Sequence, residues 1–513
     1  MEINEKVEHA DFETAVLHTG FGKFQLLLLF VCGTIYATCA ISTTTLSFVL
    51  PSAECDFLLT SADKGKLSAM PLIGMVFGSY FWGSLADTRG RKWAIISSLL
   101  LDALAALLSS TAQSFECFLV FRFFNGFGII GATSIVFSYL GEFMSIINRD
   151  TMLSRLEVFW NIGIIVLPGM AWLVIPQPWR IADTHFTYNS WRIFVAMCAL
   201  PSFLGAIMLC FLPESPKFLI SRGEHEKARS ILRKMYSMNT GNSPHEYPVI
   251  HLHGEVGCLQ NLSVKKIEIT WHRRLLNQAE ELWIRNKEIF SPPHLKHLCL
   301  TCFADFGLMA SYYTLIMWFP ELFDRFNMYQ WLHPGESVGI CDVTAVTAPV
   351  EDVDMKIQFC AKPIDEKVFL YTIIIGVSCL PSSLSLSFVI EKLGKKALII
   401  FSLMASGLSV IGLNWVHSTL DTLALSCLFE ALTSTAEAVI FCIVVDLFPT
   451  SLRAIALALT VTSGRMGAIL GNIVFGSLVD LSCAVPIYTF GLLLISSGAF
   501  CFILPRSGHV VLH

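Results

Sequence analysis

Residues 24–50 contain no Asp, Glu, Lys or Arg. Nothing constrains the fold more than this, because such stretches recur. About twelve can be traced, at 24–50, 66–84, 93–111, 116–143, 153–175, 191–213, 298–319, 368–390, 396–416, 422–446, 456–479 and 484–504. Each approaches the roughly 17–25 residues that a helix needs to cross a bilayer. In hydrocarbon every backbone N–H and C=O must be satisfied within its own segment, so stretches this apolar in a single chain are helices. Composition agrees. Of 513 residues 54% are hydrophobic and 15% charged, with 39 Phe and a mean hydropathy of +0.62, whereas soluble domains are about 25% charged. The expectation is an all-α, multi-pass membrane protein with twelve transmembrane helices.

Lys and Arg set the orientation. One series of loops carries Arg89, Arg91 and Lys92, then Arg149 and Arg155, then a long loop with 13 Lys and Arg, then Lys392, Lys395 and Lys396, then Arg453. The alternate loops carry Glu54, Asp56, Asp63, Glu351, Asp352 and Asp354. Both termini and the long loop are therefore expected in the cytoplasm. The resulting plan is a cytoplasmic N-terminus 1–23, a six-helix bundle 24–213, a cytoplasmic linker 214–297, a second six-helix bundle 298–504 with an outer loop 325–367, and a tail 505–513. Within the linker, 224–236 and 281–290 read as amphipathic helices, with solvated linker as the plain expectation. The sequon at Asn261 should stay unused on the cytoplasmic side.

The 16 Cys lie mostly in apolar runs and read as small buried hydrophobes. Cys341 and Cys360 share the polar outer loop, where an oxidising side would permit a disulfide. No metal-ligand pattern is read among the cysteines, and there is no basic tract for nucleic acid and no cleavable signal peptide. Neither a nucleotide-binding loop nor a Ser/His/Asp arrangement appears, so neither an enzyme nor a cofactor is expected, and ATP is not the drive.

The sequence between the spans repeats. Asp87, Gly90, Arg91 and Lys92 match Glu391, Gly394, Lys395 and Lys396 at an offset of 304 residues, and Glu142-x6-Arg149 matches Asp446-x6-Arg453 at the same offset. Two charged motifs in one register, on one side of the membrane, imply two halves related by an axis along the membrane normal. In transporters so built, the substrate site lies between the halves near the midplane.

The acid-x2-Gly-basic-basic turn resembles the signature loop of the major facilitator superfamily. The acid-x6-Arg pattern and PESPKFL (213–219) are similar to those of its sugar and organic-ion branches. GFGKFQ (20–25), SFVLPSAECD (47–56), GIIGATSIVFSYLGEF (128–143), FWNIG (159–163), MAWLVIP (170–176) and MWFPELF (317–323) resemble the synaptic vesicle glycoprotein 2 family. The chain departs from that family in span 1, where ATCAISTTTL (37–46) has no acid, and in the second turn, where Leu393 replaces an Arg. The last span ends LPRSG in place of LPETRG, and the outer loop is shorter than that of the vesicle glycoproteins.

Two groups of residues follow as candidates. Gly83, Asp87, Arg89, Gly90, Arg91, Glu142, Arg149, Glu391, Lys395, Asp446 and Arg453 are expected to form a charge latch at the cytoplasmic mouth that breaks when the halves rock. The alternative is topogenic charge and helix capping. Charges inside a membrane are costly and mark functional sites, which makes Asp305, Glu430, Glu437 and Arg465 substrate-binding candidates, with Glu437–Arg465 as a possible pair. Arg122, in the Arg-x3-Gly-x-Gly of span 4, joins them through the resemblance, and Tyr36 and Trp160 are aromatic candidates for lining a cavity. Tyr312 and Tyr313 are read as closing the outer side.

The reading is a transporter of a small organic solute by alternating access, in a plasma or secretory-vesicle membrane, with an unidentified coupling ion if any. The second is a transporter-like protein without flux that acts as a trafficking or binding partner. The span-1 sequence favours the second, and Arg122, Glu437 and Arg465 favour the first.

Overall fold

The computed structural model describes residues 7–182, 186–252, 288–292, 294–332, 364–482 and 484–505. Among these, twelve helices are long and apolar enough to cross a membrane. A short strand β1 (Val7–Ala10) and helix α1 (Phe12–Leu17) precede them. The first span is α2 (Lys23–Thr44) continued by α3 (Leu46–Phe57). Then come α4 (Ser61–Arg89), α5 (Arg91–Thr111), α6 (Phe115–Gly141) and α7 (Ile146–Val174). A hairpin of β2 (Arg180–Ala182) and β3 (Thr187–Asn189) leads into the sixth span, α8 (Ser190–Met197) with α9 (Ala199–Cys210). Between the halves lie α10 (Pro216–Ser221), α11 (His225–Thr240) and β4 (Val249–Leu252). The second half holds α12 (His294–Leu332), α13 (Glu366–Leu393), α14 (Lys395–Gly412), α15 (Thr419–Leu447), α16 (Thr450–Leu478) and α17 (Ala484–Phe500).

Helix packing follows the repeat. In the first half α2 packs on α7, α4 and α5 on α6, and α5 on α9; in the second, α12 packs on α16, α13 and α14 on α15, and α14 on α17. These are the same four pairings. The helices that cross between halves also exchange under the repeat, since α4 meets α16 and α7 meets α13. Small residues bring the backbones together, as in membrane helix packing generally. A Cβ at Gly126 of α6 would strike the Pro71 carbonyl of α4, and one at Gly128 would lie 2.7 Å from the Asp102 amide of α5.

The helices overrun the estimated spans. The first reaches Phe57 instead of residue 50, the second starts at Ser61 instead of 66, and the seventh runs to Leu332 instead of 319. The expected outer loop 325–367 thus begins inside a helix, because Glu321 and Arg325 find partners that let the helix continue past the apolar stretch. Cys341, Cys360, Asn261 and most of the expected 281–290 helix lie outside the described residues.

The linker is also more than solvated chain. In α11 Ala228, Leu232 and Met235 are fully buried, one face of a 3.6-residue period. β4 pairs in parallel with β1 (Val7 with Val249, His9 with His251). The Tyr247 hydroxyl donates to the Ala15 carbonyl (2.7 Å), and Asn239 Oδ1 accepts from the Phe24 amide (3.0 Å) at the start of the first span. The first part of the linker is docked on the N-terminal segment.

Candidate functional site

Midway along the spans, side chains from both halves converge. Glu157 and Trp160 stand three residues apart on α7, so they share a face. The Tyr36 hydroxyl of α2 donates to Glu157 Oε2 at 3.2 Å, and its ring lies 5.2 Å from Trp160 and edge-on to Phe137 at 5.0 Å. From the second half come Asp305, Tyr312 and Tyr313 of α12, Glu430 and Glu437 of α15, and Arg465 of α16. Glu437 is close enough to interact electrostatically with Tyr36, Glu157, Asp305 and Arg465. Tyr312 neighbours Trp160 and Glu430, and Tyr313 neighbours Arg465 and Glu157. The two tyrosines sit edge to face at 5.2 Å.

The cluster unites Tyr36, Trp160, Asp305, Glu430, Glu437 and Arg465 from the sequence reading. It adds Glu157, an ionisable residue inside an apolar span whose composition alone marks it. It also takes in Tyr312 and Tyr313, which meet the other candidates here instead of sealing an outer surface. Glu437 and Arg465 do not form the pair expected of them: no ion pair within 4 Å joins them, and Arg465 Nη1 instead touches Met75 Sδ of α4 at 2.9 Å. Asp305 (1% exposed) and Glu430 (0%) are buried; neither oxygen of Asp305 has a hydrogen-bond partner, and Glu430 has only the neighbouring Tyr312 hydroxyl. Asp305 is wedged against Gly464, where any Cβ would collide with its carboxylate.

Arg122 does not join this group. It is buried beside Asn125, whose Oδ1 accepts from Arg122 Nη1 at 3.3 Å. Asn125 Nδ2 donates to Asp102 Oδ1 (2.5 Å), which also accepts from Ser42 (2.7 Å), while Ser202 donates to Asp102 Oδ2 (2.5 Å). Asp102 of α5 is thus an acid buried inside the first half, served by α2, α6 and α9. Reading the sequence missed it, although an acid within LLLDALAALL is a strong signal in a membrane span. Of the run Ser42–Thr45, only Ser42 reaches out to an acid. Thr43, Thr44 and Thr45 donate back to carbonyls four residues earlier, the ordinary behaviour of hydroxyls in helices.

At one end of the bundle sit the repeated turns. Gly90 (φ +108°) and Gly394 (φ +78°) each join two helices with a single residue, and the left-handed conformation this requires favours glycine. Arg91 bridges Asp87 (3.4 Å) and Glu142 (3.2 Å), and Lys395 bonds Asp446 (2.6 Å) in the matching place. Lys92 Nζ donates to the Cys210 carbonyl and Lys396 Nζ to the Phe502 carbonyl, each 2.8 Å. Glu214 of the PESPKFL segment accepts from the Lys92 amide at 3.0 Å, an anion at a helix N-terminus. Burial pushes the Glu142 carboxyl above its ordinary value, against the opposing pull of Ser215 and Arg91.

Other parts of the expected latch are absent. Arg149 pairs with Glu13 of α1 (2.8 Å) and not with Glu142. Among the described residues Glu391 and Arg453 make no ion pair, and Gly83 and Arg89 are exposed and uninvolved. Every turn-motif pair lies within one half.

Among the described residues, the ion pair that crosses between halves is at the opposite end. Lys64 of α4, 0% exposed, binds Glu54 (2.9 Å) and Glu321 of α12 (2.5 Å). Glu321 also accepts from Arg325 (2.8 Å), which reaches Asp480 (3.1 Å) and the Ser61 hydroxyl (2.8 Å). Ser61 in turn donates to Asp480 at 2.8 Å. Beside this network the α4 and α16 backbones touch, so that a Cβ on Gly476 would lie 2.7 Å from Gly65 Cα. Phe48 stacks on Phe369 across the same junction, centroids 5.6 Å apart. This end is closed.

A family profile described as sugar (and other) transporter matches residues 18–250 and 360–508. Synaptic vesicle glycoprotein 2B of Mus musculus is 28% identical over 599 residues, covering 100% of this chain and 88% of its own length. Synaptic vesicle glycoprotein 2A of Rattus norvegicus is 32% identical over 341 residues, covering 64% of this chain and 46% of its own. Among solved structures, the xylose transporter XylE from E. coli in a partially occluded inward open conformation superposes with a TM-score of 0.67 at 16% identity, covering 95% of this chain and 99% of that one. The nucleoside transporter NupG gives 0.57 at 13% identity, covering 93% and 97%. The chain is a multi-pass membrane protein with the major facilitator fold, and it belongs to the sugar (and other) transporter family.

Proposed function

We propose that this protein carries a small organic solute across a membrane by alternating access, binding it at the cluster of Tyr36, Glu157, Trp160, Asp305, Tyr312, Tyr313, Glu430, Glu437 and Arg465. One observation carries the reading: both halves contribute to one polar and aromatic cluster, while among the described residues the ion pair that joins the halves lies at one end only. A site between two halves, shut at one end by a breakable network, is what alternating access requires.

In this reading the halves are 24–213 and 298–504, and the closed end faces away from the cytoplasm. The Lys and Arg distribution supports that orientation. So does Cys55, which is disulfide-bonded near the closed end, as suits an oxidising side. The membrane is that of the cell surface or of a secretory vesicle, where the vesicle glycoprotein relatives give the second choice its support. The turn motifs pair within each half here and act as the latch in the opposite state.

The test is uptake into proteoliposomes across a broad panel of sugars, amines and carboxylates, with Glu437→Gln and Arg465→Ala. Flux of a panel member that falls at least tenfold in both variants is the expected result. A panel with no flux that depends on these residues refutes it and leaves the trafficking or binding role. For orientation, Asn261 should receive no glycan in microsomes.

A further inference from the structure

The central site holds four carboxyls, Glu157, Asp305, Glu430 and Glu437, against one guanidinium, Arg465. We infer that it takes an organic cation, an amine or quaternary ammonium with an apolar body. This rests on the transport-site reading above and specifies its ligand.

Two observations beyond the charge count point there. The first is how this molecule treats its other buried acids. Asp102 accepts three hydrogen bonds, from Ser42, Asn125 and Ser202, with Arg122 nearby. Glu321 lies between Lys64 and Arg325. Asp102 has donors on both oxygens, and Glu321 Oε1 is held by two cations while its Oε2 has no partner. Asp305 and Glu430 are buried as deeply, yet no donor reaches either oxygen of Asp305, and Glu430 has only the neighbouring Tyr312 hydroxyl. Arg465, the cation of the site, holds no carboxylate within 4 Å and turns to Met75. The fold gives its structural acids Asp102 and Glu321 several donors or a cation, and leaves Asp305 and Glu430 with neither at the transport site. A cationic ligand supplies the missing partner.

The second is the walls. Tyr36, Trp160, Tyr312 and Tyr313 surround these acids, and an aromatic face attracts a cation that lies over it. Elsewhere in the molecule such faces are taken by side chains: Arg192 lies 4.5 Å from Trp191, Arg122 5.0 Å from Phe118 and Arg91 5.3 Å from Phe218. Among the described residues no Lys or Arg covers the four rings of the site. An organic anion would meet four carboxyls and a single counter-charge. A sugar would find few neutral amides, since Asn161 nearby is engaged with Ser383 at 2.8 Å.

The experiment uses the full-length protein, purified and in proteoliposomes, with 1-methyl-4-phenylpyridinium and tetraethylammonium as cation probes, benzoate as anion and D-xylose as neutral solute. Binding is read by thermal shift and transport by uptake. The cation probes should bind and enter saturably, and benzoate and xylose should do neither. Asp305→Asn and Glu430→Gln should each weaken cation binding at least tenfold. Arg465→Gln should strengthen it, an opposite sign that a general loss of folding cannot imitate. If xylose or benzoate is carried and the cations are not, the cation assignment is wrong while the transport reading stands. If the cations bind in a manner sensitive to Asp305→Asn but nothing moves, the assignment stands and the transport reading falls. Cation binding equal in wild type, Asp305→Asn and Glu430→Gln overturns the inference.

Discussion

Glu321 is the keystone of the closed end, and its replacement by Gln gives the sharpest test of the mechanism. The change preserves shape and leaves a neutral acceptor between two buried cations, Lys64 at 0% and Arg325 at 11% side-chain exposure. Removing one partner of a buried ion pair costs about 3–5 kcal/mol, because the remaining charge stays desolvated and unpaired. Here the low end applies. Lys64 retains Glu54 and Arg325 retains Asp480, and both acids are about one-third exposed. A loss of about 3 kcal/mol at about 1.4 kcal/mol per decade makes opening of this end roughly a hundredfold more frequent.

Ser47 reports that opening. It is 3% exposed and lines a cavity of about 30 Å³ behind the network, with Phe48, Ile316 and Phe319. In a background with the exposed Cys117, Cys210 and Cys299 replaced by Ser, Ser47→Cys should react slowly with an impermeant maleimide added from the closed side. Adding Glu321→Gln should speed labelling by one to two orders of magnitude, a range set by that ~3 kcal/mol. Cys39, buried inside the first half, should remain unreactive, which separates opening from unfolding. Labelling of Ser47→Cys at an unchanged rate would refute the claim that this network holds the two halves together.

Further outcomes follow from the same geometry. Gly476→Val should act in the same direction as Glu321→Gln, since its side chain would occupy the space of Gly65; maleimide labelling at Ser47→Cys again reads it. Asp102→Leu should lower stability by about 3–5 kcal/mol by leaving the buried Ser42, Asn125 and Ser202 donors without their acceptor and removing the acid near Arg122, and Arg122→Met added to it should recover part of that in thermal unfolding. Lys395→Ala breaks a pair whose members are about one-third exposed, and should cost no more than about 1 kcal/mol by the same assay. Because Glu142 is held above its ordinary value, the folded state binds its proton more readily than the unfolded chain does. Its contribution to stability therefore falls as pH rises from the ordinary carboxylate value through the raised one, and Glu142→Gln should flatten that part of the stability–pH curve.

Much of this was legible because a bilayer imposes composition directly. Twelve apolar stretches gave twelve helices, and charges in one register gave the repeat that the packing reproduces. The ends of helices were not legible in the same way. Lys64, Glu321 and Asp480 lie just beyond the apolar stretches and read as loop residues. They become helix-end and interface charges only because Lys64 and Glu321, 257 residues apart in sequence, meet in space. Asp102 stood out as an acid in an apolar run, but its partners come from three other helices and no local pattern announces them. The amphipathic period of α11 was visible, whereas the docking of the linker that carries it depended on a parallel pairing of β4 with Val7–Ala10.

The duplication also separates two kinds of charge. Arg91–Glu142 and Lys395–Asp446 are copies of one another, each confined to its own half. A contact made identically in both halves does not by itself favour one end of the bundle over the other. In the proposed cycle it braces each half in the state seen here and is free to latch the other end in the opposite state. The closing network has no copy: at the offset of 304, Lys64 corresponds to Val368 and Asp480 to Pro176. The central acids have none either, since Glu437 corresponds to Thr133, Glu430 to Gly126 and Glu157 to Val461. Symmetry is kept where the halves must move alike. It is broken at the closed end and at the cluster between the halves, where a carrier needs one state to differ from the other and one ligand to be chosen.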